Sequence, residues 1–195
     1  SKVLWFCGIV FAWSVSLSQD KGFKPVDQDR PDQRVALIIG NAKYASAPLR
    51  NPENDANDLT RTLRDLNFKV SAYTNISNRE MVNAIREFGG KLNTNTVALF
   101  YYSGHGVQVR GKNYLIPINA KIEKEQDIEF EAVDAQRVIA EMENARSRMN
   151  IVILDACRDN PLARSVRGGS RGLATLDAPV GTFIAFSTAP GTVAS

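Results

Sequence analysis

Histidine and cysteine are almost missing from this chain. Its 195 residues hold one histidine, His105, and two cysteines, Cys7 and Cys157. So few imidazoles and thiols leave too few favoured ligands for a zinc site, and no resident metal is expected. A glycine-rich phosphate loop is lacking as well. Gly40-Asn41-Ala42-Lys43 follows an apolar run but has neither the G-x-G-x-x-G nor the G-x-x-x-x-G-K-[ST] spacing. There is no large excess of charge of either sign: 24 basic residues against 21 acidic ones leave +3. Lys43, Arg50, Arg61 and Arg64 are dispersed among acids, so nucleic acid is not an expected partner. What remains is ordinary globular composition, 44% apolar and 23% charged, at a length that suits one domain with a sizeable core.

The N-terminus stands apart. Lys2 precedes an apolar run over residues 3–17, short of the ~20 residues that a membrane span needs. Ser16-Leu17-Ser18 places small residues three and one before a cut at Gln19, the layout of an export signal peptide. The chain starts without Met, so the charged front of that signal is expected to be incomplete. Residues 1–19 are therefore read as an export signal, with an uncleaved anchor or a buried helix as alternatives. Phe6 before Cys7 argues against a lipid-modified cysteine. The expected destination is periplasmic or secreted, and a membrane contact arises only if the segment stays as an anchor. Cleavage removes Cys7 and leaves one thiol, so an internal disulfide is not the reason for Cys157.

Residues 20–33 are polar, aperiodic and carry Pro25 and Pro31, the composition of a linker. From residue 34 onward, strand-like and helix-like segments alternate. Residues 34–40 form a continuous apolar run suited to a strand buried on both faces. Asn51-Pro52-Glu53 opens a helix with a capping residue, an early proline and an acid near the dipole. Ala56, Leu59, Leu63 and Leu66 line one face of it. Residues 68–74 predict a second strand, and Ser77 or Asn78 caps a helix that turns Met81, Ile85 and Phe88 inward. A third strand is expected over residues 96–104, then a hairpin joining 107–109 to 114–116. A helix from Asp134 carries Val138, Ile139 and Met142. Core strands follow at 150–156 and 182–187, separated by the aperiodic stretch 158–181. This alternation implies an α/β fold, a three-layer sandwich with a mainly parallel sheet and helices on both faces. Sites in such folds lie beyond the carboxyl ends of the strands.

His105 and Cys157 each close such a strand. A free thiol titrates at ~8.5 and needs help to ionise near neutrality; an imidazole at the same sheet edge supplies that help. Gly104 and Gly106 flank the imidazole, and the Gly106 and Cys157 N–H groups are candidates to bind an oxyanion. Taken singly, a lone cysteine reads as a small buried hydrophobe and a lone histidine as a satisfied polar residue. Their shared position at two strand ends favours catalysis over both.

Taken in order, five segments resemble the caspase and metacaspase family of cysteine peptidases. They are Ile39-Gly40-Asn41 with Tyr44, Leu49 through Ala56, Tyr102-Ser103-Gly104-His105-Gly106, Asp155-Ala156-Cys157-Arg158, and Ser187-Thr188-Ala189-Pro190-Gly191. His105 and Cys157 stand 52 positions apart, against about 50 in that family. The resemblance implies a caspase-hemoglobinase fold over residues 34–195, a Cys157 nucleophile, a His105 base and hydrolysis of peptide bonds. It also implies that substrate adds as a strand along the edge just after Pro190-Gly191, at Val193, Ala194 and Ser195. Caspases carry Gln-Ala-Cys-Arg-Gly where this chain has Asp155-Ala156-Cys157-Arg158-Asp159. Asp155 in that place looks like metacaspases and implies a pocket for Arg or Lys; the plainer alternative is that it caps backbone amides. The family continues beyond the equivalent of Ser195, so the catalytic domain is expected to be incomplete at its C-terminal side. Arg164, Arg167 and Arg171 in the loop 158–181 suit self-processing, against the reading of a mobile surface loop.

The acids Glu123, Glu125, Asp127, Glu129 and Glu131 alternate at strand spacing. They read as the solvated face of an extended segment, with a calcium site as the less favoured alternative. No cofactor is otherwise expected, and the expected partners are protein or peptide substrates. A catalytically silent peptide-binding module, or a hydrolase of other acyl substrates, is the rival reading.

Overall fold

The computed structural model describes residues 32–157, 173, 176 and 178–187. The leader, nearly all of the linker, Arg164, Arg167, Arg171 and the edge residues Val193, Ala194 and Ser195 lie outside the described residues. Strand β1 (Gln33–Gly40) takes Gln33 from the expected linker. It is followed by α1 (Pro52–Asp65), β2 (Lys69–Thr74), α2 (Asn78–Gly89), β3 (Thr96–Val109) and β4 (Lys112–Leu115). A 3₁₀ turn, Glu125–Asp127, then leads through α3 (Ile128–Glu131) and β5 (Val133–Asp134) to α4 (Gln136–Asn144), β6 (Met149–Cys157) and β7 (Thr182–Phe186).

Five of these strands run parallel in the order β2-β1-β3-β6-β7. β3 then leaves β1 behind and pairs antiparallel with β4, which pairs with β5. The architecture is the mainly parallel α/β sheet that the strand–helix alternation predicts. Because side chains alternate across a strand, β1 serves two cores. Val35, Leu37 and Ile39 join Met81, Ile85 and Phe88 of α2 and Val138, Ile139 and Met142 of α4 on one face. Ala36 and Ile38 join Ala56 and Leu63 of α1, with Leu99 and Tyr101 of β3, on the other. A third cluster, including Tyr44, Val107, Tyr114, Ile116 and Ile128, fills the space under the hairpin.

Several local expectations are corrected. Asn51 occupies the N-cap of α1, but its side chain makes no capping bond; its carbonyl receives Asp55 N–H at 3.0 Å. Ser77, not Asn78, caps α2, closing a capping box with Glu80. Leu66 is half exposed because α1 ends at Asp65. Asp134 belongs to β5 rather than to a helix, although its carboxylate receives Gln136 N–H at 2.9 Å at the entry to α4. β3 does not stop at Gly104 but continues unbroken to Val109. The acidic stretch is coiled into helical turns, not extended. Glu125 and Glu129 both meet Arg110, at 3.4 and 3.7 Å. Asp127 accepts the N–H groups of Glu123 and Lys124, and Glu131 accepts that of Lys121.

Candidate active site

β1 stops at Gly40, opposite Ser103, while β3 and β6 run two residues further to the pair His105–Cys157. The two residues singled out by their scarcity are thus Cα partners on adjacent parallel strands. On its other edge β3 changes neighbour at this same point, from β1 to β4, and two tyrosine hydroxyls fill the junction. Ile116 N–H donates to the His105 carbonyl at 3.0 Å. The Tyr44 hydroxyl stands between His105 N–H and the Ile116 carbonyl, accepting at 3.0 Å and donating at 2.9 Å. The Tyr102 hydroxyl lies 2.7 Å from the His105 carbonyl and 3.0 Å from that of Ile116. Glycine at 104 follows from this arrangement: a Cβ there would lie 2.6 Å from the Tyr102 hydroxyl and 2.7 Å from that of Tyr44. Its small size serves the tyrosines that hold His105, in addition to any approach of substrate.

The imidazole is held on two sides. Its Nε2 is 2.8 Å from the Ala47 carbonyl, and its ring packs against that of Tyr44 with centroids 4.4 Å apart. A carbonyl only accepts, so Nε2 carries the proton and donates. Nδ1 is then the lone-pair nitrogen of the neutral ring. It is buried and has no hydrogen-bond partner among the described residues. The residue is only 3% exposed. Burial lowers its pKa below the ordinary 6.5, against a smaller upward effect of the Ala47 bond. A neutral imidazole with one nitrogen tied and the other open is equipped to take a proton.

Bonded and non-bonded pairs alternate along an antiparallel ladder. His105 and Ile116 share a bond across β3 and β4, so the following Gly106–Leu115 pair is a non-bonded one, and Gly106 N–H is directed away from β4. A Cβ at 106 would lie 2.9 Å from Ala156 Cβ and 3.2 Å from Leu173 Cδ2, which keeps β3 and β6 close here.

Asp155 pairs with Ser103, two residues before the His105–Cys157 pair. Tyr101 donates its hydroxyl to Asp155 Oδ2 at 3.3 Å. Burial, then the Asp155 charge, pushes the Tyr101 phenol well above its usual range. Asp55, in the first turn of α1, has its carboxyl raised by burial, then by Asp155 and Asp58. Among the described residues no three His, Cys, Asp or Glu groups are disposed to hold a metal. Ala47 and Asp55 were not singled out from the residue pattern. Asp55 lies inside a quoted motif, whereas a backbone carbonyl leaves no residue-type signal at all.

A family model for the caspase domain matches residues 33–195. The human mucosa-associated lymphoid tissue lymphoma translocation protein 1 is 32% identical over 140 residues, 71% of this chain but 17% of its own length. Its mouse homologue is 33% identical over 126 residues, 64% of this chain and 15% of its own. The chain therefore spans under a fifth of the curated relatives it matches, and the likeness is to one part of them. With the family match running from the first residue of β1 through the sheet that joins His105 to Cys157, this chain belongs to the caspase domain family.

Proposed function

We propose that the domain is a cysteine endopeptidase in which Cys157 is the nucleophile and His105 the base, cutting after Arg or Lys. The observation that carries this reading is the pairing of His105 with Cys157, together with an imidazole whose Nε2 is tied to Ala47 and whose Nδ1 is open. The thiol gives its proton to Nδ1, and sulfur attacks the scissile carbonyl. Negative charge on that oxygen is met by the N–H groups of Gly106 and Cys157. Nδ1–H then protonates the departing amine as the C–N bond breaks, leaving a thioester. Water, deprotonated by the same nitrogen, hydrolyses the thioester and frees the thiol. Every proton in this cycle moves on this chain's own groups, substrate or water.

Basic specificity is supported by Asp155 and Asp55. Burial first, and then the Asp155 charge, raise the pKa values of Tyr101 and Asp55, which speaks for negative charge gathered at this strand end. A guanidinium or ammonium group from substrate relieves that charge. The apolar leader supports export of the mature chain, which sequencing the N-terminus of protein recovered from cell fractions would check.

The test is hydrolysis of Arg-, Lys- and Asp-type peptide reporters by the full chain beside Cys157→Ala. Cysteine-dependent release from the basic reporters supports the proposal. Faster release from the Asp-type reporter overturns the specificity, and equal release from both proteins overturns the dyad. Peptide binding without turnover assigns the groove to a recruitment module.

A further inference from the structure

The Ala47 carbonyl that fixes the His105 tautomer sits on an exposed loop, and its own backbone is strained. Ala47 has φ of 54°, in the left-handed region, which disfavours a residue with a Cβ by about 1–2 kcal/mol. Such a conformation persists only when its surroundings over-determine it. The constraint converges on one side chain at the end of β2. Asn75, itself at φ 55° but of a type that tolerates this region, donates its backbone N–H to the Gly40 carbonyl at 3.0 Å. Its Oδ1 accepts the N–H groups of Ala42 and Lys43 at 2.9 and 2.8 Å. Its Nδ2 donates to Glu53 Oε1 at 2.5 Å.

Those two amides anchor the loop that ends at Leu49, whose N–H returns to the Ala42 carbonyl at 2.9 Å. Between the two ends lie Tyr44, stacked on the imidazole, and Ala47, bonded to it. Glu53 in turn holds Lys43 Nζ at 3.3 Å. The Asn75 bond and Lys43 keep its carboxyl below the usual range against a smaller effect of burial. We propose that Asn75 is a positioning residue for His105: through Ala42, Lys43 and Glu53 it sets the loop whose Tyr44 ring and Ala47 carbonyl fix the catalytic tautomer. The proposal rests on His105 being the base. It adds a residue just past the edge strand β2, two strands from β3, whose own bonds go to Gly40, Ala42, Lys43 and Glu53 rather than to the imidazole.

The decisive experiment exchanges the polarity of the clamp. Asn75→Ala removes all three side-chain bonds. Asn75→Asp keeps an oxygen for both amides but sets a second carboxylate against Glu53. The exchange Asn75→Asp with Glu53→Gln restores an N–H···O contact with donor and acceptor reversed. In the full chain, kcat and KM are measured on a basic reporter. The nitrogen chemical shifts of the one imidazole are recorded in a Cys157→Ala background, where they report the Nε2–H tautomer directly. Both single Asn75 variants are expected to lower kcat by roughly 10- to 100-fold with little change in KM and to weaken the Nε2–H signature. The exchange is expected to recover most of both. Failure of the exchange to rescue, or lost activity that follows unfolding while the tautomer signature stays intact, overturns the proposal. If even the parent chain cleaves nothing, the dyad reading fails, and the tautomer signature in the same variants still decides whether Asn75 sets the imidazole.

Discussion

At the carboxyl edge of the sheet stand two walls built on opposite terms. The histidine wall is dry and cross-tied. His105 is 3% exposed, its N–H, carbonyl and Nε2 are all bonded, and a tyrosine ring packs on the imidazole. The acidic wall is held loosely. Asp155 is only partly buried and, among the described residues, accepts one side-chain bond, from Tyr101 at 3.3 Å, while Asp55 and Tyr101 are pushed toward their protonated forms by burial first and then by its charge. On the proposed reading, one wall is complete before substrate arrives and the other waits for a substrate cation. A preorganised base costs nothing to arrange at the moment of reaction, whereas an unpaired carboxylate pocket discriminates by which partner satisfies it.

That contrast predicts different failures. His105→Ala is expected to cut kcat by about a thousandfold or more on every substrate, since general base and general acid are lost together. A residual rate above a tenth of the parent's would remove His105 from the mechanism. Asp155→Asn is expected to act selectively. It should lower the preference for an Arg-type over an uncharged reporter by roughly 10- to 100-fold while leaving the pH profile of kcat in place. An equal loss on both reporters would mean that Asp155 supports the site rather than reading the side chain.

The legibility of the two walls differs for the same reason. His105, Cys157 and Asp155 were visible because rare or charged residue types closed apolar runs of strand length, and parallel pairing then brought two of them together. The ties behind them were not. The Ala47 carbonyl is a backbone group, and the Asn75 side chain makes its contacts with residues 22 to 33 positions away. Glycine at 104 reads as a strand end, but it is an interior position emptied for two hydroxyls. The acids from 123 to 131 misled through arithmetic. A series spaced by two contains pairs spaced by four, and the helical turns use one such pair, Glu125 and Glu129, to flank Arg110.

Tyr44→Phe tests how much of the histidine wall rests on one oxygen. The ring remains to pack on the imidazole, but His105 N–H and the Ile116 carbonyl lose the hydroxyl that lies between them. Two buried polar groups then lack that partner, and unfolding free energy should fall by about 1–3 kcal/mol, read from denaturant midpoints at constant slope. A change within a few tenths of a kcal/mol would show that the ladder closes over the gap without help.

The smallest effect expected is the most direct report on the dry wall. Because His105 is the chain's one histidine, its titration in Cys157→Ala is followed without assignment by mutagenesis. Burial holds the folded pKa below 6.5, the value expected when the chain is unfolded. The unfolded chain therefore binds the proton more readily. The stability associated with this group is fully present above that value and is lost as pH falls through it toward the folded pKa. Folding stability should thus decline below about pH 6.5, over and above the change caused by the carboxylates, and His105→Gln should flatten that part of the curve. The acidic wall makes an opposite contribution: Asp55, with its carboxyl raised by burial and the Asp155 charge, favours the folded chain as pH falls into its own lower range. A His105 titration at or above 6.5 would mean that water or a nearby charge reaches the imidazole, and the contrast between the walls would collapse.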